Sequence, residues 1–282
     1  HKGAYSWGVD FTQFFKKKSW MFNINTAFSN VSGTKEAIEL TQRSSARYFQ
    51  RPDNDYVKFD PERTSLFGSG GRMQLMKLDG HFNFGTLMSW KTPGFETNDL
   101  GYMREADQIL SAIFVGYSQW EPKWIYRRYS LNCDVFNVNN FGGDRITTGF
   151  EANGNIGFRN MWSARTGGQI TTSSLSTGIL RGGPMMKVPG RIGGRVGFSS
   201  DDRKKLVFNL FVNNNLEFHG SSKSFYSEAG VTYKPTNYLR FTLSPGFSKS
   251  FSKLQYVSKL TYNGNDRYIF GSIDRKTLSA SI

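Results

Sequence analysis

The feature that most constrains this fold is a strict alternation of apolar and polar side chains, which recurs along most of the chain. It is clearest in the apolar set Leu206, Phe208, Leu210, Val212, Leu216 and Phe218. A two-residue period indicates β-strands with two chemically different faces. The alternating segments run for roughly 10 to 14 residues, whereas strands of soluble proteins average about 5 to 6. A tilted strand that crosses a bilayer needs about 9 to 11 residues. The pattern therefore favours membrane-spanning strands.

The polar positions of these segments are rich in Asn, Ser, Thr and Arg, which suits a wet lumen better than a dry core. We predict that the following residues face such a lumen: Arg145, Glu151, Asn153, Asn209, Asn213, Glu217 and Arg240. Tryptophans lie near the predicted strand ends, at positions 20, 90, 120, 124 and 162. Aromatic girdles lie at such places in membrane barrels, although packing at a sheet margin would give the same pattern.

The connections between the predicted strands alternate between tight turns and long loops, and the long loops are 30–69, 92–107 and 173–190. This arrangement is typical of an outer-membrane barrel with short periplasmic turns and long outer loops. We therefore predict an all-β, antiparallel, up-and-down transmembrane β-barrel over residues 1–282, located in a bacterial outer membrane. About 14 or 15 strands are expected from this pattern, and the last four are predicted near Leu243, Val257, Ile269 and Thr277. Because the last one, near Thr277, breaks off at the end of the chain, we expect a fragment of a larger barrel.

The chain carries a net charge of +14, and its Lys and Arg residues are spread over nearly every strand and turn. Nucleic-acid binding is one interpretation of a basic chain, but the absence of one basic cluster argues against it here. A solvated surface, a charged lumen or contact with anionic lipid headgroups fits the spread better. We expect outer-membrane lipid as the main partner, with other outer-membrane proteins or surface glycans as further candidates.

One segment, Lys35 to Phe49, has weak helical amphipathicity and is predicted to be a surface helix in an outer loop, with a cap over the barrel mouth as the alternative. The glycines at positions 68, 70 and 71 have no following helix and are predicted to let a strand bend or approach its neighbour.

The sequence offers no catalytic, cofactor-binding or metal-ligating set. Its three histidines lie far apart, and the HExxH and GxSxG patterns are absent. The best acidic group is in the loop 92–107 and consists of Glu96, Asp99, Glu105 and Asp107. Paired carboxylates could serve acid–base chemistry or bind sugar hydroxyls, and a solvated acidic loop is the simpler interpretation.

Three stretches resemble motifs of a known family: Thr92 to Arg104, with the text TPGFETNDLGYMR; Leu180 to Pro184, with LRGGP, followed by Val188-Pro189-Gly190; and Tyr268 to Ser279. Together they are similar to a Bacteroidota outer-membrane barrel family of unknown function, from about residue 60 to the end. The resemblance implies that a domain similar to a family 9 carbohydrate-binding module precedes this segment and that further strands follow it. It assigns no catalytic role to any residue.

These observations lead to a non-enzymatic outer-membrane barrel that acts as a pore, receptor or scaffold. Two alternatives remain open. The chain could be a subunit of a larger outer-membrane secretion, uptake or assembly complex, or it could be an enzyme that processes surface glycans or peptides.

Overall fold

The computed structural model describes residues 2–98 and 101–281 and is dominated by long strands. The strands are β1 (Gly3–Phe15), β2 (Trp20–Ser32), β3 (Ser65–Lys77), β4 (Phe82–Lys91), β5 (Gln108–Gln119), β6 (Tyr126–Asn139), β7 (Arg145–Phe158), β8 (Ser163–Thr171), β9 (Ser174–Ser176), β10 (Met186–Val188), β11 (Arg191–Ser199), β12 (Leu206–Glu217), β13 (Ser222–Tyr233), β14 (Phe241–Tyr262) and β15 (Asn265–Ser281). The helix α1 (Lys35–Arg43) lies between β2 and β3, and a 3₁₀ turn spans Phe218–Gly220.

In the described part of the chain, thirteen strands form one sheet in chain order, and β9 and β10 form a separate two-stranded ribbon. Strands make up 64% of the chain, so the predicted all-β, antiparallel, up-and-down fold is confirmed at this level. Among the described residues the sheet is not closed into a barrel. The closed transmembrane barrel therefore stays a prediction.

Three element assignments from the sequence were wrong. The strands predicted near Leu243 and Val257 are one strand of 22 residues, β14, and those near Ile269 and Thr277 are one strand of 17 residues, β15. The register between β14 and β15 shifts at residues 252–258, and such bulges interrupt the alternation without ending the strand. The predicted helix also stops early, at Arg43 instead of Phe49, because a series of turns follows Ser44.

The helix α1 is held at its start by Thr34, whose hydroxyl accepts a hydrogen bond from the Ala37 N–H at 3.3 Å. Its Ile38 and Gln42 are fully buried. Leu40, on the opposite side, is 71% exposed, so α1 is a surface helix with one buried face, as its amphipathic pattern predicts. Among the described residues, no helix is long and apolar enough to cross a membrane.

The chain divides into two compact units. Unit 1 contains residues 1–114, 135–148 and 173–188, and unit 2 contains residues 115–134, 149–172 and 189–282. In each unit the alternation of the sequence becomes two faces of the sheet, which we call the apolar face and the polar face.

In unit 1 the apolar face is exposed and carries aromatic rings at two levels. Near the long-loop end, Trp7 stacks on Phe28 with ring centroids 5.7 Å apart, and Phe28 stacks on Phe67 at 6.4 Å. Trp7 is 51% exposed and Phe67 59% exposed. At the tight-turn end, Trp20 stacks on Phe15 at 6.2 Å and meets Phe84 edge-on at 5.6 Å. A soluble domain would cover such a surface.

Candidate functional site

The four connections of unit 1 pack together into a compact group, which we call the loop assembly: residues 33–64, 92–98 with 101–107, 140–144, and 173–188. The Ala106 N–H donates to the Ala46 carbonyl oxygen at 2.9 Å, and the Met185 N–H donates to the Asp53 carboxylate at 2.7 Å. These contacts join the first loop to the second and to the last. The loops therefore form one folded body instead of separate excursions.

The loop assembly folds over the polar face of β2 and β3. Val31 and Leu66, at the long-loop ends of these strands, form a buried cluster with Ile38 of α1 and with Phe49. Phe95 forms a second buried cluster with Met103 and Ala106. Most of the buried apolar side chains among the described residues belong to these two clusters, so the loops hold most of the hydrophobic core.

Glycines let the second loop approach the sheet. A Cβ on Gly68 would clash with the backbone at Phe95, and a Cβ on Gly70 would lie 2.7 Å from the Phe95 ring. The Glu96 N–H also donates to the Ser29 hydroxyl at 2.9 Å. The loop thus lies directly on the backbone of β3, and the alternating glycines of this segment are the sequence signal for it.

A buried ion pair joins the first two loops. The Arg47 guanidinium lies 2.7 Å from the Glu96 carboxylate, and their side chains are 0% and 5% exposed. Arg47 also donates to the Phe95 carbonyl oxygen. Burial lowers the pKa of Arg47 from its ordinary value, and the adjacent Glu96 carboxylate opposes that shift. Arginine nevertheless stays charged at any accessible pH, so its carboxylate partner is required.

Asp107 links two more parts of the loop assembly. It accepts hydrogen bonds from the Tyr56 hydroxyl and, at 3.0 Å, from the Phe141 N–H. Burial, together with the hydrogen bond to Asp107, raises the pKa of the Tyr56 hydroxyl, so Tyr56 remains a neutral donor.

The acidic residues singled out in the second loop do not converge on one site. Glu96 is bound to Arg47, Asp107 to Tyr56 and Phe141, and the exposed Glu105 accepts from Gln108. Asp99 lies outside the described residues. The carboxylates of Glu96 and Asp107 hold loops together, and among the described residues no group of His, Cys, Asp and Glu could bind a metal ion.

The polar face of unit 2 carries a different arrangement, in which arginines lie across glycines of the neighbouring strand. In the β8–β11 pair, Arg165 lies opposite Gly197, and Gly167 lies opposite Arg195. A Cβ on Gly197 would be 2.6 Å from the Arg165 Nε, and one on Gly167 would be 2.9 Å from the Arg195 Nε. The two arginines therefore cross the strand pair in opposite directions, each over the glycine that faces it.

The two arginines end in different environments. Arg195 reaches β7, where it lies 2.7 Å from the Glu151 carboxylate and donates to Asn153 at 2.5 Å. Arg165 reaches β12, where its guanidinium lies 5.3 Å from the centre of the Phe211 ring. The first charge is neutralised by a carboxylate, whereas the second has a cation–π contact and no ion pair with any described residue.

Two cavities open on the polar face of unit 2. The first, about 340 Å³, is lined among others by Arg191, Arg195, Asn213 and Glu217. The second, about 860 Å³, is lined among others by Arg128, Arg165, Asn209 and Arg240.

The residues predicted to face a lumen can now be placed. Asn213 and Glu217 line the first cavity, and Asn209 and Arg240 line the second. Glu151 and Asn153 bind Arg195 between them. Arg145, the first residue of β7, belongs to unit 1.

Sequence reasoning missed Arg165 and Arg195. The signal that could have revealed them is a repeated Arg-x-Gly, in Arg165-Thr166-Gly167 and Arg195-Val196-Gly197. When two such triplets pair antiparallel, each arginine faces a glycine, but only the register shows that they pair.

Comparison with known proteins assigns the chain to a family. A model described as Domain of unknown function (DUF5916) matches residues 11–282. The chain belongs to the DUF5916 family. No curated protein matches this DUF5916 chain. A solved structure of a porin refined at 1.8 Å resolution is similar to it with a TM-score of 0.43 and 10% sequence identity, over 96% of this chain and 91% of the porin chain.

Proposed function

We propose that this chain forms the wall of a transmembrane β-barrel in a bacterial outer membrane, and that it serves the passage or capture of solutes. In this proposal the apolar face contacts lipid, and the polar face borders a water-filled space. The loop assembly covers the polar face of β2 and β3 at the long-loop end.

The observation that carries the proposal is the uncovered apolar face with aromatic rings at two levels. On β2 these levels are marked by Trp20 and Phe28. Eight residues at about 3.4 Å each give a separation of roughly 27 Å along the strand. With a tilt of about 40° this becomes roughly 21 Å, close to the apolar band of about 25 Å in outer-membrane barrels.

The polar face of unit 2 is a second observation that supports the same proposal. Its Arg, Asn and Glu side chains line two cavities and would be costly in a dry core. Water on that face removes the cost. The loop assembly of unit 1 has a core of its own, which fits a mouth that is restricted by folded loops.

The orientation of the two faces can be tested residue by residue. Single cysteines at positions 208 to 213, in a Cys133→Ser background, would carry an environment-sensitive fluorophore in the chain reconstituted into phosphatidylcholine vesicles. We expect brominated lipid to quench labels at Phe208, Leu210 and Val212, and iodide to quench labels at Asn209, Phe211 and Asn213. An absence of two-residue alternation would refute the proposal. Labels on the apolar face that neither quencher reaches would instead favour a second protein on that face, as in a subunit of a larger complex.

The passage of solutes is tested separately by conductance in planar bilayers. We expect discrete conductance steps from the reconstituted chain. A preparation with correct label alternation but no conductance would exclude an open pore and favour a receptor or scaffold.

The motif stretches at residues 92–104, 180–190 and 268–279 support a finer proposal about the whole protein. In this proposal the whole protein comes from a Bacteroidota envelope and carries a domain similar to a family 9 carbohydrate-binding module ahead of this segment. Sequencing the complete gene product would test this, and a product without such a domain would exclude it.

A further inference from the structure

The larger cavity of unit 2 is strongly basic. Its wall includes five cationic side chains and one carboxylate: Arg127, Arg128, Arg165, Lys234, Arg240 and Asp202. At about 860 Å³ the cavity is within the usual range for small-molecule sites, about 300 to 1,000 Å³. Its excess positive charge makes anions the natural occupants.

Several of these charges have no carboxylate partner. Among the described residues, neither Arg128, Arg165 nor Arg240 forms an ion pair. Lys234 donates to the backbone carbonyl of Asp202, and the neighbouring Asp201 carboxylate is bound to Arg203 at 2.8 Å. The contrast with Arg195, which is paired with Glu151 on the same face, shows that the fold neutralises one arginine of the crossed pair and leaves the other free.

The free guanidinium of Arg165 is also held in place. It passes over Gly197, where only the missing Cβ makes room, and ends on the Phe211 ring. Arg128 lies beside Gly157, where an added Cβ would make only an ordinary contact with the Arg128 Cγ, at 3.5 Å, so its position does not depend on a glycine. A guanidinium held in one orientation can donate two parallel hydrogen bonds to an oxyanion. Because the side chain is already ordered, binding costs less conformational entropy.

We propose that this cavity binds a small solute with several anionic oxygen groups, phosphate or carboxylate, with Arg128, Arg165 and Arg240 as the binding cations. The inference deepens the proposed function, since it names the solute class that the polar face would take up or pass. Arg165 is the central residue, because it is both unpaired and positioned.

Binding can be measured without a bilayer, by isothermal titration of the folded, detergent-solubilised chain with pyrophosphate and with citrate in about 0.15 M NaCl, which screens diffuse attraction. We expect saturable binding of at least one probe. Arg165→Gln and Arg128→Gln should each weaken it by about 10- to 100-fold, the range for a hydrogen bond to a charged group. Phe211→Leu should weaken it by about two- to fivefold through the lost cation–π contact.

Arg191→Gln is the matched control. It removes the same charge from the same polar face, but Arg191 is on β11 and lines the other cavity. We expect Arg191→Gln to bind the anion with an affinity within about twofold of the unmodified chain, because a charge outside the cavity is screened by salt and adds little to the binding free energy. Gly197→Ala tests positioning with no change in charge, and it should weaken binding because the new Cβ displaces Arg165.

Pyrophosphate binding alone would identify phosphate as the preferred group, citrate binding alone would identify carboxylate, and binding of both would identify a general oxyanion site. Binding of neither probe by the folded chain would overturn the inference, as would an equal loss in Arg191→Gln and Arg165→Gln. The quenching of labels at positions 208 to 213 tests the proposed function independently of anion binding. If the labels alternate but neither anion binds, only the anion site is rejected. If an anion binds but the labels do not alternate, only the membrane role is rejected.

Discussion

The buried pair between Arg47 and Glu96 makes Glu96→Gln an informative substitution. Glutamine keeps the shape of the side chain and the oxygen that accepts from the Asn98 N–H at 2.6 Å, but it leaves the Arg47 guanidinium buried without a carboxylate. Breaking a buried ion pair at one partner costs about 3 to 5 kcal/mol. Because Arg47 retains its bond to the Phe95 carbonyl, we expect the lower end of that range.

This cost should appear as local opening, since the loop assembly has its own hydrophobic clusters. A loss of about 3 kcal/mol corresponds to roughly a 100-fold rise in the open population, at 1.36 kcal/mol for each factor of ten. Hydrogen–deuterium exchange followed by mass spectrometry would measure it in peptides from residues 33–64. Peptides from β11 to β13 should keep the exchange rates of the unmodified chain.

Glu105→Gln is the matched control, because it is the same change at an exposed carboxylate in the same loop. It should change exchange by less than about threefold, as surface substitutions generally do. The double variant Arg47→Met with Glu96→Gln should open less than Glu96→Gln alone, since no buried charge remains. Exchange in Glu96→Gln that matched the Glu105→Gln control would refute the reasoning.

Three further predictions concern the contact of the second loop with β3, the two faces of β12 and the turn at residues 200–205. Gly68→Ala should release residues 92–98 from β3 and make them sensitive to protease, whereas Gly101→Ala, with no atom within 4 Å of its new Cβ, should not. Leu210→Arg should lower the free energy of unfolding in lipid vesicles by about 2 to 4 kcal/mol, the cost of an arginine near the bilayer midplane. Asn209→Arg, on the polar face, should lower it by much less. Urea titration in vesicles measures both changes. The hydrogen bond with Arg203 lowers the pKa of Asp201 to about 2, so its stabilisation of the 200–205 turn should persist above the unfolded value near 3.9 and vanish only as the pH falls through about 2. Carboxyl NMR titration of Asp201 would show this, and a midpoint near 4 would contradict it.

How far the sequence could predict the structure depends on whether the interaction is local. The helix start at Thr34 and the strand period are local, and both could be read from the chain. The end of the helix could not be predicted, because no clear change of composition marks the turns that follow Ser44. The fusion of two predicted strands into β14 could not be predicted either, because the bulges at residues 252–258 interrupt the two-residue period in the same way as a turn would.

The candidate sites show the same division. The sequence alone determined the two-faced strands and the polar residues of one face, because side chains of a strand alternate by geometry. It also contained both Arg-x-Gly triplets and the glycines near Gly68. The folded arrangement was needed to show that Arg195 meets Glu151, that Arg165 forms no ion pair within the described part of the chain, and that Arg47 is buried against Glu96. The physical reason is that charge neutralisation depends on strand register and loop packing, which bring together residues that are distant in the chain.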